Sequence, residues 1–252
     1  MGTLLAVART AAIFLVYLGF AVIGGVLALS RFLSTKRRHQ LISGFTRQWA
    51  RCSCFIFNIR VRVVGALKDS PGSLIVANHI GTPDIFVLGS CFSGFFVSKA
   101  EISRWPLIRL LAHIGKTIFA ERSKRHQVKE IVRQMHERLE GGSSVILFPE
   151  GGATDGQQVI DFKPSPFEAA VLAKSPVVPV TIIYHDPNKP SIACWNQIPF
   201  LEHMLRLLKN PRLDATVYLH EPIAGEADRR KLAQASCRVI REMHREKTLP
   251  GK

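Results

Sequence analysis

In the stretch LIVANHIGTPD, residues 74–84, His79 and Asp84 stand five positions apart. A carboxylate that holds one imidazole nitrogen leaves the other nitrogen to take a proton from a hydroxyl. The short apolar run Leu74–Ala77 follows Pro71-Gly72 and carries Ile and Val, the signature of a buried strand. Thr82-Pro83-Asp84 predicts a helix start, with Thr82 as N-cap, Pro83 at the first helical position and Asp84 in the first turn. His79 then falls in the strand-to-helix loop and Asp84 folds back from the next turn. The pair is a base with its orienter and has no nucleophilic serine, so the attacking oxygen must come from a substrate. On spacing alone the histidine could equally be a hydrogen-bonded bystander, and the surrounding elements have to decide.

Those elements alternate. Residues 59–64 alternate in strand fashion toward Gly65. After the predicted helix at Asp84, residues 95–99 read as a strand and 105–114 as a helix stopped by Gly115. Residues 117–120 read as a strand running into Glu121-Arg122. Val128, Ile131, Val132, Met135 and Leu139 recur at helical spacing up to Gly141-Gly142. A strand over 145–148 delivers Pro149-Glu150-Gly151; a helix over 167–174, strands over 177–183 and 216–220, and a basic amphipathic helix around residues 232–243 follow. The pattern predicts an α/β fold, a mixed sheet flanked by helices, with an N-terminal membrane-anchoring helix. The boundaries are 1–57 for a transmembrane or interfacial segment and 58–252 for the catalytic domain.

Residues 11–29 contain no charge and are long enough to cross a hydrocarbon core of ~30 Å. Arg31, Lys36, Arg37 and Arg38 follow, which places the body on the cytoplasmic side. A hairpin within one leaflet is the alternative. The next stretch, 39–58, mixes aromatics with Arg47 and Arg51 and suits either the headgroup region or a helix covering the domain. The net charge of +15 implies an anionic partner. Because the basic residues gather beside the apolar segment and along the last helix, that partner is anionic membrane lipid and not nucleic acid. Five cysteines, odd in number and without paired metal spacing, read as reduced and structural.

The polar residues at the strand ends are Asn78-His79, Glu121-Arg122 and Glu150-Gly151, where active sites of open α/β sheets gather. In order they resemble one family. His79 and Asp84 are similar to the His-x4-Asp motif of the glycerolipid acyltransferases, which include the 1-acyl-sn-glycerol-3-phosphate enzymes. Gly115 to Arg122 resembles that family's second block, Phe148-Pro149-Glu150-Gly151 its third and Val178-Pro179-Val180 its fourth. The resemblance implies that His79 and Asp84 are catalytic and that Lys116 and Arg122 hold an acceptor phosphate. It further implies that Asn78, Glu150 and Gly151 shape the substrate site, with Lys163 as a second anion contact. No metal and no cofactor is implied, since an acyl thioester is already activated.

The expected reaction moves a fatty acyl chain from acyl-CoA or acyl carrier protein to a lysophospholipid hydroxyl, giving phosphatidic acid at the cytoplasmic face of a bacterial inner membrane. Two departures bear on the acceptor. Glu121 stands where the family often has Asp, and the third block continues as Gly152-Ala153-Thr154-Asp155-Gly156 without the usual Thr or Ser after its Gly. That continuation resembles the lyso-ornithine lipid O-acyltransferase branch, whose acceptor has no phosphate. The other readings are a catalytically inactive lipid-binding scaffold and, more distantly, a metal-dependent hydrolase using His79, Asp84 and Glu150.

Overall fold

A computed structural model describes residues 2–28, 33–66, 72–99, 106–120, 125–188, 190–195 and 198–248. Seven strands form one mixed sheet in the order β1-β7-β6-β2-β5-β3-β4. They are β1 (Ile59–Val64), β2 (Leu74–Ala77), β3 (Gly94–Lys99), β4 (Ile118–Ala120), β5 (Ser144–Leu147), β6 (Val177–His185) and β7 (Leu213–Leu219). Every neighbouring pair is parallel except β6 and β7. All four residues of β2 are buried, which matches its unbroken apolar run and its place between β5 and β6.

Helices cover both faces. One layer holds α1 (Gly2–Ala28), α2 (Thr35–Ile56), α3 (Pro83–Cys91), α4 (Pro106–Ile114) and α7 (Phe200–Lys209). Its core joins Cys54, Phe57, Phe86, Leu88 and Leu207 to the strand residues Ile75, Val180 and Ile182. The other holds α5 (Arg125–Glu140), α6 (Glu168–Leu172) and α8 (Arg229–Thr248), packed through Met135, Leu139, Phe167, Leu232 and Ile240 on Leu74, Val76 and Val145. Residues on β2 alternate between the two cores, as a strand covered on both sides requires.

The sequence patterns locate most elements. β6 runs two residues beyond its predicted end and β7 starts three residues earlier than expected. Residues 39–58 form most of α2, which packs on α3, β1 and β3, so this segment covers the domain. No disulfide joins the five cysteines, and four are buried. α7 has no counterpart in the sequence reading.

α1 lies along the body. Tyr17 bonds Ser53 of α2 at 2.8 Å, Gly24 sits against Ile114 of α4 and Phe45 of α2, and the Arg9 guanidinium donates to the carbonyls of Leu208, Asn210 and Pro211 at the end of α7. A cation placed there satisfies carbonyls that a helix C-terminus leaves without partners. Arg9→Met is expected to lower unfolding stability by about 2–4 kcal/mol through these lost charged bonds. Denaturant melts of the detergent-solubilised protein measure it; an unchanged midpoint would refute the tie.

Candidate active site

β2 ends at Ala77 and the chain leaves the sheet as Asn78-His79. The Asn78 side chain reaches across to β6, donating to the Ile182 carbonyl at 3.0 Å and accepting from its N–H at 2.8 Å. One N–H and one lone pair of its amide are thereby spent on β6, so Asn78 locks the strand end.

His79 is fixed from every side but one. Its N–H donates to Glu150 Oε1 at 2.7 Å, and its carbonyl accepts from the N–H and hydroxyl of Thr154 at 2.9 and 3.1 Å. Nδ1 lies 2.8 Å from Asp84 Oδ2, which makes it the protonated nitrogen, since a carboxylate only accepts. The ring stacks on Phe148, with centroids 4.1 Å apart and planes 16° from parallel. Nε2 remains, on a side chain 17% exposed.

Asp84 is fully buried. Oδ2 also accepts from the N–H groups of Ile80 and Gly81 at 2.7 and 3.0 Å, and Oδ1 accepts from the Tyr184 hydroxyl at 2.7 Å. Burial, and then the neighbouring carboxylate, raise Tyr184 well above its ordinary value, so it stays a donor. The helix start differs from the expectation in one respect. Thr82 does not cap α3: its backbone is already helical and its hydroxyl is buried without a partner among the described residues. The amides a cap would serve, those of Asp84 and Ile85, donate to the carbonyls of Gly81 and Thr82 instead.

Glu150 follows β5, with Oε1 on His79 N and Oε2 accepting from Ile160 N at 3.3 Å. Burial pushes its carboxyl up to about 7, against the pull of those two amides. Both its oxygens face backbone N–H groups, and no trio of His, Cys, Asp or Glu converges among the described residues. Gly151 takes the turn after it with φ +88°.

Lys116 stands with Arg38, His39 and Arg138; burial, then Arg38 and Arg138, lower its ammonium below the ordinary lysine value. Among the described residues no hydrogen bond or ion pair joins it to His79, Asp84 or Glu150. Lys163 bonds Pro149 through its backbone and has an exposed side chain. Arg122 and Glu121 fall outside the described residues.

Three site residues escape a local reading. Tyr184 and Thr154 act through contacts spanning 100 and 75 positions, and Gly81 matters because a Cβ there would lie 2.1 Å from the Ala193 carbonyl. The 193–195 segment closes over the loop, with Trp195 N donating to the Ile80 carbonyl at 2.8 Å. Tyr184 does sit in phase with Val180 and Ile182 on β6, which is the one sequence signal available for it.

The comparisons with known proteins agree with this geometry. A family model described as Acyltransferase matches residues 58–183. The lyso-ornithine lipid O-acyltransferase of Rhizobium meliloti is 32% identical over 216 residues, covering 78% of this chain and 73% of that protein. Its counterpart in Pseudomonas aeruginosa is 34% identical over 78% of this chain and 76% of its own length. The 1-acyl-sn-glycerol-3-phosphate acyltransferase of Neisseria gonorrhoeae is 32% identical over 46% of this chain and 45% of its own. The crystal structure of the 1-acyl-sn-glycerophosphate acyltransferase from Thermotoga maritima superposes at TM-score 0.72 with 20% identity, over the whole of both chains, and so shares the fold. The matched segment holds the loop that clamps His79 together with the strands that support it, and on these grounds the chain belongs to the acyltransferase family.

Proposed function

We propose that this protein transfers an acyl chain from a thioester to the free hydroxyl of a membrane lysolipid, and that the acceptor is a lyso-ornithine lipid. The observation that carries the reaction is the single free nitrogen of an otherwise immobilised imidazole. His79 Nε2 takes the hydroxyl proton as the oxygen attacks the thioester carbonyl, and returns a proton to the departing thiolate. Asp84 holds the tautomer and balances the imidazolium that forms between the two steps. The enzyme needs no acyl intermediate of its own, since the substrate supplies the nucleophile.

The acceptor is chosen on two grounds. The sequence relatives from Rhizobium meliloti and Pseudomonas aeruginosa, named for lyso-ornithine lipid, align over about three quarters of their length, whereas the one from Neisseria gonorrhoeae, named for the glycerol phosphate acceptor, aligns over less than half. The continuation of the third block, Gly152-Ala153-Thr154-Asp155-Gly156, resembles the same lyso-ornithine lipid branch. Lysophosphatidic acid is the second reading, favoured by the second sequence block with Lys116 and Arg122.

The membrane contact is the layer that includes α1. Leu4, Val7, Phe14, Leu15, Leu18 and Val22 form an exposed apolar stripe on it, and Leu110 of α4 with Leu201 and Leu205 of α7 extend the surface. Because the opposite side of α1 is tied to α2, α4 and α7 along its length, this helix lies in one leaflet and does not cross, with the body at the cytoplasmic face of the membrane. Val22→Glu with Ile23→Glu is expected to reduce membrane partitioning by roughly tenfold or more in flotation assays. Unchanged flotation would sink the embedding.

The reaction is tested with membranes carrying wild type or His79→Ala, given labelled acyl-CoA or acyl carrier protein and either lyso-ornithine lipid or lysophosphatidic acid. Product from the ornithine acceptor that drops by roughly 10²–10⁴-fold in the variant is expected. Product from lysophosphatidic acid alone moves the acceptor to the second reading. No product with any pair, from folded protein, leaves a lipid-binding scaffold.

Glu150 gives a pH signature. A carboxyl raised from 4.5 to about 7 contributes stability that is present below 4.5 and is lost as pH rises through about 7. The full change is on the order of 3 kcal/mol. Glu150→Gln removes the titration, so the difference in melting temperature between variant and wild type should shift in the variant's favour from pH 5 to pH 8. Parallel curves across that interval would contradict the assignment. Acyl transfer should fall in the variant at every pH, because one amide cannot accept from both His79 and Ile160.

A further inference from the structure

On the sheet face opposite α1, a groove of about 600 Å³ runs between α8 and the loop around Asp161. Lys231, Gln234, Arg238, Arg241 and Arg245 line it at spacings of three and four, one face of the helix over about 21 Å. Arg241 is committed to the protein: its guanidinium pairs with Asp161 at 2.8 Å and donates to the Val159 carbonyl at 3.0 Å. Arg238 and Arg245 are exposed and make no ion pair among the described residues, although Glu242 also borders the groove.

Hydrogen bonds connect the groove to the reaction centre. The loop that Arg241 grips continues into Ile160, whose N–H holds Glu150, which in turn holds the backbone of His79. Cys237 of α8 touches the same loop, its thiol 3.5 Å from the Ile160 carbonyl. The Val159–Asp161 loop therefore links the groove to the backbone that carries the imidazole.

We infer that this groove binds the phosphorylated nucleotide end of an acyl-CoA donor, leaving its pantetheine arm to carry the thioester past the Val159–Asp161 loop to His79. The inference rests on the acyl-transfer reading and adds the donor to it. Three observations favour this occupant. The volume is that of a small-ligand cleft and not of a protein docking face. Unpaired guanidinium groups suit phosphates bidentately, while Gln234 and Glu242 beside them can take ribose and base donors. The groove also faces away from the apolar layer of α1, α4 and α7, so a ligand reaches it from water. That suits a soluble thioester better than a lipid headgroup.

The test compares wild type with Arg238→Ala/Arg245→Ala and with a control of equal charge change, Arg60→Ala/Arg133→Ala, in detergent micelles. Adenosine 3′,5′-bisphosphate binding is read by calorimetry and the KM for palmitoyl-CoA by turnover. In the groove variant, Kd and KM should each rise about tenfold or more, with a smaller change in kcat; the control should match wild type. Single Arg238→Gln and Arg245→Gln variants, each with an intermediate rise, guard against a folding defect in the double variant. Unchanged Kd and KM would overturn the inference. So would a loss confined to acyl carrier protein as donor, which would make α8 a protein-docking face, or a loss confined to binding of anionic vesicles. Bisphosphate binding is read without turnover. A wild type that binds it through these arginines but transfers no acyl chain sinks the reaction and keeps the groove.

Discussion

A carboxylate with no exposure to water governs this fold. Burying an ionised Asp costs several kcal/mol unless its oxygens are satisfied, and Asp84 meets that demand with four donors: His79 Nδ1–H, two backbone amides and the Tyr184 hydroxyl. Each donor imposes a condition on the chain. The two amides require the loop after β2 to wrap around the carboxylate. Tyr184 requires β6 to lie beside β2 and to run on past the end of their pairing. Asn78, bonded to Ile182 two residues before Tyr184, keeps that register. Sheet order and catalytic geometry are thus set by one buried charge.

Glu150 does the converse work. Its two amide donors do not fully offset burial, and its carboxyl rests near neutrality where Asp84 is fully committed. With Thr154 on the other side, it leaves His79 with N–H, carbonyl and Nδ1 all engaged. The imidazole is therefore aimed before a substrate arrives, and no part of the binding energy is needed to orient it. The Ala193–Trp195 segment presses on the same loop at Gly81, where a side chain would find no room.

The parts legible in the sequence are those written by neighbours in the chain. The apolar run of β2, Pro83 at the first turn of α3 and the His79–Asp84 spacing all have local causes, and β2 and α3 stand where those causes put them. What was not legible depends on sheet order. Nothing near Thr154 or Tyr184 announces a partner 75 or 100 positions away. The capping role given to Thr82 failed because its own backbone is already helical, and the amides it would have capped, those of Asp84 and Ile85, donate to the carbonyls of Gly81 and Thr82. Asn78 reads as a ligand-facing residue from its place beside His79, and only the position of β6 shows that its amide also clamps the strand end. Lys116 reads as part of the site from its sequence block, yet it comes to rest among Arg38, His39 and Arg138.

Arg9 explains how an apolar helix of 27 residues keeps a definite side toward the body. A cation in such a segment is expensive in hydrocarbon and is tolerated where carbonyls surround it. The end of α7 offers three, so rotating α1 about its axis would expose the guanidinium and strand those carbonyls together. Tyr17, two turns further along the same side, adds the bond to Ser53. The exposed stripe from Leu4 to Val26 is then the surface left over, and it contains no charge because the only charged residue of the helix faces inward. The orientation of the lipid-facing surface is a consequence of where one guanidinium finds its acceptors.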